Sequence, residues 1–516
     1  MTAPDVPQDN RLREVWLLLA TLLVAIAGLI YELIAATVSS YLLGDSVRQF
    51  SFVIGVFLSA MGLGAWVSRF VADPVRGFIW AQVALGVIGG FLAPVLFFSY
   101  AVTDTVGGPL YGALIAIGAL SGMEIPLIAR VLETVGARRF RFENVLTVDY
   151  IGALVASLAF PLFVIPNLGL MSASLSFGVL NLAVALLSLW IFRDRALRAQ
   201  WVACGLALVA AVVALVQAER LVSVADQALF EDDVILTEQT AYQKISVTRF
   251  RDRTRLYLDH SLQFDSYDEY RYHEALVHPA MSIAERHANV LILGGGDGMA
   301  TREVLRHDGV EHITLVDLDP RMTALFRDHA ELAALNAHVL SDPRVSIVNS
   351  DAWRFAEQSQ ATFDVVILDL PDPKNIALSK LYSREFYSLL IERLASGGAL
   401  VTQSGSPTYA PEAFWSIVAT WGEVRNPALP DDTLTTLPYH VYVPSFGDWG
   451  FTLVTPLPHR ARPLSLPEGL KFLTEATWSA ARSFPPDAAR RPVQSNTLQT
   501  HALVEYYLTG WDRWFE

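Results

Sequence analysis

The sequence predicts a two-part chain, an N-terminal multi-span α-helical bundle of membrane type followed by a C-terminal α/β domain built on a parallel sheet. Three observations lead there. Apolar stretches of spanning length crowd the first 217 residues, period-two alternation replaces them from about Phe230, and strand-like and helix-like runs alternate after Met281.

The apolar stretches are Val15–Thr37, Ser51–Ser68, Phe78–Val102, Leu110–Ile128, Leu146–Ile165, Leu170–Phe192 and Trp201–Gln217, about seven spans in all. Each approaches the roughly 20 residues that a helix needs to cross a bilayer. The first is too long for a cleaved secretory signal and lacks a small-residue cleavage site before the next span. Arginines between the stretches alternate in side. Arg11, Arg13, Arg69, Arg76, Arg130, Arg138, Arg139, Arg141, Arg193, Arg195 and Arg198 fall on one side, and only Arg48 on the other. The positive-inside rule therefore puts the N-terminus in the cytoplasm. Glu32, Glu124 and Asp149 lie within or near the spans, where carboxylates are costly and tend to face the bundle interior, either as functional groups or as hydrogen-bonding links between helices.

Residues 1–217 hold 12 acidic and 12 basic residues, and the remainder holds 40 and 26, so the whole net charge of −14 belongs to the C-terminal part. An acidic domain excludes nucleic acid as a natural partner and suits a cationic substrate, although solubility alone would also explain it. The single cysteine, Cys204, rules out a disulfide within the chain and a cysteine-based metal site. No metal is expected.

From Phe230 to Phe264, QKISVTRF and RLYLDHSLQF alternate apolar and polar residues around the turn RDRT, the signature of a small antiparallel sheet. Beyond Met281 the runs VLILG, ITLVDLD, VSIVNSD, DVVILDLPD and GALVTQSG alternate with helical segments, which predicts a parallel sheet with helices on both faces, Rossmann-like and of the class I methyltransferase-like kind. The expected division is a transmembrane helical domain over 1–218, a β-sheet subdomain over 219–280, the Rossmann-like domain over 281–456 and a helical tail over 457–516.

Within that domain VLILGGGDG is a strand entering a glycine turn. Gly294, Gly296 and Gly298 allow the sharp bend and the close approach of a ligand, and Asp317, about twenty residues on, can accept hydrogen bonds from both ribose hydroxyls. Asp297, Asp317, Asp351, Asp369 and Asp372 each follow an apolar strand and are expected on one rim. So many carboxylates repel one another unless a cation arrives, which points to a positively charged ligand and to raised pKa values. In DVVILDLPDP two acids stand three apart, with Pro371 and Pro373 stiffening the loop. Upstream, Asp259, Gln263, Asp268, Glu269, Tyr272, His273 and Glu274 crowd a short polar and aromatic stretch, part of which a solvated helix start would explain.

These segments resemble the polyamine aminopropyltransferases, the spermidine synthase family, through LDxxLQ, DExxYHE, GGGDG, a strand-end acid, and DxxDP followed by LYSREFY, over roughly Phe230 to Pro456. VPSFGDWGF and the tail YYLTGWDRWF resemble its membrane-attached, multi-pass bacterial branch. The resemblance implies transfer of an aminopropyl group from decarboxylated S-adenosylmethionine, a co-substrate rather than a prosthetic group, to a polyamine such as putrescine, leaving methylthioadenosine. It implies Asp369 as general base. Gln243, Asp317 and the pair Asp351 and Ala352 match nucleoside contacts, alongside the glycine turn. His273, Asp297 and Asp372 match residues that hold the amine, with Tyr272 nearby and Tyr382 as a further wall. It also implies a homodimer. The chain departs from the family at His260, where LDG is usual, and at Asn375 and Ile376, where Gly-Pro is usual; donor or acceptor preference is expected to differ accordingly.

Two other readings share parts of these features. A methyltransferase shares the glycine turn but must accommodate a donor carboxylate, which an acidic rim repels. A membrane polyamine transporter or sensor would use Glu32, Glu124 and Asp149 and keep the nucleoside fold as a binding module. Seven crossings would place the catalytic domain outside the cell, away from a cytosolic donor. The expectation is a cell (inner) membrane protein with a cytoplasmic catalytic domain, the short stretch Trp201–Gln217 not crossing.

Overall fold

The computed structural model describes residues 8–43, 46–103, 106–135, 142–218, 220–221, 224, 227, 230, 232–429, 432–456 and 463–515. Arg138, Arg139 and Arg141, which enter the charge asymmetry, lie outside them. The chain divides into two compact units, Met1–Val234 and Ile235–Glu516.

The first unit is helical: α1 (Gln8–Leu43), α2 (Ser46–Val67), α3 (Pro74–Gly90), α4 (Leu92–Thr103), α5 (Gly107–Val135), α6 (Phe142–Ala159), α7 (Ile165–Ile191) and α8 (Arg198–Val216). Asp73 caps α3, accepting from the backbone of Val75 and Arg76 at 3.0 and 3.2 Å. Among the described residues six helical segments are long and apolar enough to cross a membrane, against the seven stretches read from the sequence. The difference lies at Glu143–Ile191, a 49-residue run in which two helices meet at a kink at Gly169, between the stretches Leu146–Ile165 and Leu170–Phe192. That length is about 74 Å at 1.5 Å per residue, more than twice a hydrocarbon core of about 30 Å. Pro161 and Pro166 remove two backbone donors there. The helix responds with a π-helical turn at Phe160–Val164 and a break at Gly169, whose φ of 66° and ψ of 174° are not helical. Trp16 of α1 donates to Ser188 of α7 at 3.3 Å and Asn181 of α7 to Tyr31 of α1 at 3.4 Å, so these two helices run antiparallel.

The second unit begins with a four-stranded sheet in sequential order, β1 (Asp233–Gln239), β2 (Lys244–Phe250), β3 (Arg253–Leu258) and β4 (Ser261–Asp265). RLYLDHSLQF is therefore two strands. The bend between them puts Asp259 and His260 at φ 46° and 64°, the paired left-handed conformations of a tight hairpin. That is why glycine is the easier residue at position 260, and His260 occupies it under strain.

The larger sheet has seven strands: β5 (Asn289–Gly294), β6 (His312–Asp317), β7 (Val345–Asn349), β8 (Phe363–Asp369), β9 (Leu394–Gln403), β10 (Thr435–Val443) and β11 (Gly447–Thr455), in the order β10-β11-β9-β8-β5-β6-β7. β5 to β9 are parallel as expected, but β11 and β10 add antiparallel strands, so the sheet is mixed. Burial alternates across it. Val290, Ile292, Val365 and Ile367 enter one core, and Leu291, Leu293, Val366 and Leu368 the other. Both faces are thus covered, which is what near-continuous apolar runs in parallel strands require. The helices that matter for the site are α9 (Glu269–Ile283), α10 (Met299–Val304), α11 (Pro320–Asp328), α12 (Ala352–Gln358), α13 (Arg384–Ile391), α14 (Pro411–Gly422) and α15 (Ala502–Phe515).

Candidate active site

The parallel strands set the site by ending together. Gly294 is in register with Asp369, and Asp317 with Asn349, so the glycine turn and the two strand-end acids share one edge of the sheet. The turn must be glycine where it meets them. Gly294 has φ 83°, and a Cβ there would run into the carbonyl oxygen of Asp369; at Gly296 a Cβ would come 2.5 Å from Asp317 Oδ2. Gly298, at φ 80°, opens α10.

Asp317 accepts from the backbone N–H of Gly296 at 3.0 Å on Oδ2 and of Asp319 at 2.9 Å on Oδ1. Burial nevertheless pushes its pKa up to about 6, with Asp319 and Asp297 adding repulsion. Gln243 reaches this corner through Asp319, to which its amide donates at 3.1 Å, and Thr240 donates to the same oxygen at 2.8 Å. Asp351 caps α12 by accepting from Arg354 N at 3.1 Å, and Ala352 is buried behind it. Unlike the other rim acids Asp351 is paired, with Lys380 Nζ at 2.9 Å. Its burial cost is outweighed by Lys380, and its pKa is lowered. The rim is therefore divided, with Asp317 and the Asp351–Lys380 pair on one side and the unpaired acids on the other.

Asp369, Asp297 and His273 form the other side. Tyr272 donates to Asp369 Oδ1 at 2.7 Å, and Asp297 Oδ1 accepts from Met299 N at 2.8 Å. Burial raises both carboxyls, Asp297 to about 6; the His273 charge opposes the rise at each, and their mutual repulsion adds to it at Asp297. His273 Nδ1 lies 2.8 Å from Glu269 Oε2, and Arg302 Nη2 clamps both Glu269 oxygens at 2.9 Å. Burial pulls the imidazole down, but Glu269, Asp369 and Asp297 outweigh it and bring its pKa to about 9. The cleft thus carries its own cation between two acids.

Asp372 stands at the far end of the loop after β8. Its Oδ1 accepts from Gln403 Nε2 at 3.2 Å and its Oδ2 from Tyr507 Oη at 2.8 Å. Burial raises its pKa, and these two donors and Lys374 moderate the rise. Tyr382 is fully buried with its hydroxyl donating to the carbonyls of Leu370 and Pro371, at 3.1 and 3.0 Å, while Gln403 donates to its oxygen at 2.6 Å. Its hydroxyl holds the acid-bearing loop from behind.

The crowded segment upstream is not a solvated helix start, because Asp268, Glu269, Tyr272, His273 and Glu274 are all buried. Asp268 accepts from Ser445 N and Oγ at 2.7 and 2.8 Å, and Glu274 accepts from the backbone of Lys471, Phe472 and Leu473 at 2.8 to 2.9 Å. Glu274 therefore anchors a distant segment. Gln403, Tyr507 and Arg302 are site residues the sequence reading passed over. Gln403 had a signal, since it ends the apolar strand β9 as the aspartates end theirs, and Tyr507 lies in the tail YYLTGWDRWF that carries part of the resemblance; Arg302 had none beyond composition. Among the described residues no group of His, Cys, Asp and Glu converges as a metal site would.

A buried rim carrying Asp297, Asp369 and Asp372 with raised pKa values, next to the strand-end carboxylate of Asp317, has the chemistry to hold an amine and accept its proton. Comparison with known proteins bears on that chemistry. Residues 269–457 match the family model described as "Spermine/spermidine synthase domain". The polyamine aminopropyltransferase of Leptospira interrogans is 41% identical across 96% of this chain and 99% of its own. Polyamine aminopropyltransferase 2 of Ralstonia nicotianae is 44% identical across 96% and 98%. A crystal structure of spermidine synthase in complex with the transition state analogue AdoDATO is 27% identical over 49% of this chain and 85% of that one, with a TM-score of 0.43. This chain belongs to the spermine/spermidine synthase family of polyamine aminopropyltransferases.

Proposed function

We propose that the chain transfers an aminopropyl group from decarboxylated S-adenosylmethionine to a polyamine such as putrescine, giving spermidine and methylthioadenosine. The observation that carries the mechanism is the buried pair Asp297 and Asp369 about His273, with Tyr272 fixing one oxygen of Asp369.

The attacking amine is an ammonium with a pKa of about 10 and must lose a proton. Asp369, its Oδ1 held by Tyr272, presents Oδ2 as the acceptor, and its raised pKa makes it a better base than an exposed aspartate. The freed nitrogen lone pair attacks the propyl carbon, the carbon–sulfur bond breaks toward sulfur, and the sulfonium leaves as a neutral thioether. Asp297 and Asp372 grip the diamine, Asp317 takes the ribose, and Gln243, acting through Asp319, with Asp351 and Ala352 shapes the nucleoside side. What remains is alignment, which the stiff loop held by Tyr382 and Gln403 supplies.

The apolar helices of the first unit make the chain a multi-pass protein of the cell membrane in this reading, and the cytosolic origin of the donor puts the catalytic unit in the cytoplasm. A homodimer is the assembly proposed, to be read by light scattering of the detergent-solubilised chain. A reporter fused after Ala218 tests the sidedness; activity only of an extracytoplasmic reporter would overturn it. The reaction is tested by incubating the purified chain with putrescine and either donor. Methylthioadenosine from the decarboxylated donor is expected, and S-adenosylhomocysteine from the other would instead indicate a methyltransferase.

A further inference from the structure

The helical unit gathers a second set of buried acceptors that the transfer reaction does not use. Glu124 on α5 is 6% exposed, and Gln82 on α3 is fully buried. The amide nitrogen of Gln82 donates to Glu124 Oε1, while Gln82 Oε1 meets no donor among the described residues. Tyr31 on α1 and Asp149 on α6 are near enough to Glu124 to interact with it electrostatically. Asn181 on α7 is fully buried; it donates to Tyr31 Oη, and its own Oδ1 is likewise unpartnered. Ser121, one turn before Glu124, has an unpartnered Oγ that lies against Gly28, one turn before Tyr31. Gly89 of α3 lets this happen, since a Cβ there would strike the Tyr31 ring at 2.5 Å.

Side chains of α1, α3, α5 and α7 are thus gathered in one buried polar cluster inside an apolar bundle. An ionised carboxylate in such surroundings is costly unless paired. Among the described residues no cationic side chain is paired with it. No lysine occurs before Lys244, and Arg130, the next arginine along α5, is committed to the carbonyls of Ser68 and Val71 at 3.0 and 2.8 Å. A proton on Glu124 would neutralise the charge and, with the Gln82 amide turned over, satisfy Gln82, but it leaves one end of the buried Asn181 amide without a partner. A primary ammonium brings three N–H donors and a positive charge together, and the Tyr31 ring offers a face to it or to its methylene stem.

We propose that the bundle core is a second amine-binding site, centred on Glu124 and separate from the transfer site, that takes the protonated end of a linear polyamine. The choice of an amine over another cation rests on the reaction proposed above; the buried polar cluster does not.

The test uses the full-length chain in detergent micelles and equilibrium binding of labelled putrescine and spermidine. In Asp297→Asn/Asp372→Asn, where the transfer site no longer grips amine, one binding event per chain is expected to persist. Adding Glu124→Gln to that background should weaken it roughly a hundredfold, as truncating one partner of a buried charge pair does. Glu124→Gln alone should leave turnover unchanged. Should Glu124→Gln fail to fold, Gln82→Met leaves the carboxylate in place and must weaken the same event. No amine bound by the double variant, binding indifferent to Glu124 and Gln82, or labelled sodium held there that polyamine cannot displace would each overturn the site. Absence of methylthioadenosine formation by the unaltered chain would instead overturn the transfer reading, and leaves the binding measurement standing.

Discussion

Tyr507 donates its phenolic hydrogen to Asp372 Oδ2 across 2.8 Å, tying the C-terminal helix α15 to the loop that follows β8. Because Gln403 serves the other oxygen, both sides of Asp372 are fixed before any substrate arrives. In the proposed reaction the tail is thereby part of the amine end of the site.

Tyr507→Phe leaves one oxygen of a buried carboxylate without its donor. A hydrogen bond to a charged group contributes about 1.5–3 kcal/mol, so KM for the amine should rise roughly 10- to 100-fold with little change in KM for the nucleoside donor. Steady-state kinetics with each substrate varied in turn checks this. An unchanged amine KM would detach α15 from the site.

Asp369→Asn removes the proton acceptor while keeping the partner of Tyr272. Turnover should fall by about 10²- to 10⁴-fold, the range for loss of a general base. Methylthioadenosine binding, followed by calorimetry, should be nearly unaltered. Retained turnover would reassign the base.

The acid limb of activity should reflect the raised carboxyls. Asp297 sits near 6 and Asp369 is raised with it, so the free enzyme loses its grip on a diammonium as pH falls through about 6. The pH profile of kcat/KM for the amine reads this directly, and a limb near 4 would show that both acids ionise like exposed ones.

His273 and Glu269 make the stability of the catalytic unit depend on pH. The imidazole titrates near 9 in the fold and near 6.5 when unfolded, so its contribution is complete below about 6.5 and is lost as pH rises through about 9. The lost part is roughly 3–4 kcal/mol by the usual conversion of pKa into free energy. Thermal unfolding followed by tryptophan fluorescence between pH 6.5 and 9.5 should show the decline in the unaltered chain and a flatter profile in Glu269→Gln, where only Asp369 and Asp297 still oppose burial. Equal slopes in both would remove Glu269 as the residue that keeps His273 charged.

The α/β core was legible because its determinants are local. Strand–helix alternation, the glycine turn and the strand-end acids are each read from a dozen residues, and register then brings Gly294 beside Asp369 without further information. The hairpin of β10 and β11 was less legible. β11 is buried along nearly its whole length, so GDWGFTLVT lacks period-two alternation, whereas the edge strand β10 alternates only over Tyr439–Val443, a short signal. Glu143–Ile191 was legible as two stretches, because its composition dips at Asn167 and Gly169 and the dihedral angles at Gly169 break the helix there.

By itself the sequence determined which residue types could do chemistry and the order of elements that would carry them, since hydrophobic periodicity and glycine placement act over a few residues. The tertiary structure alone decided which acids stay unpaired. Lys380 neutralises Asp351, Arg302 holds Glu269 on His273, and Tyr507 reaches Asp372 from 135 residues away. Charge and burial at a point depend on whatever the chain folds against it, and no local pattern records that.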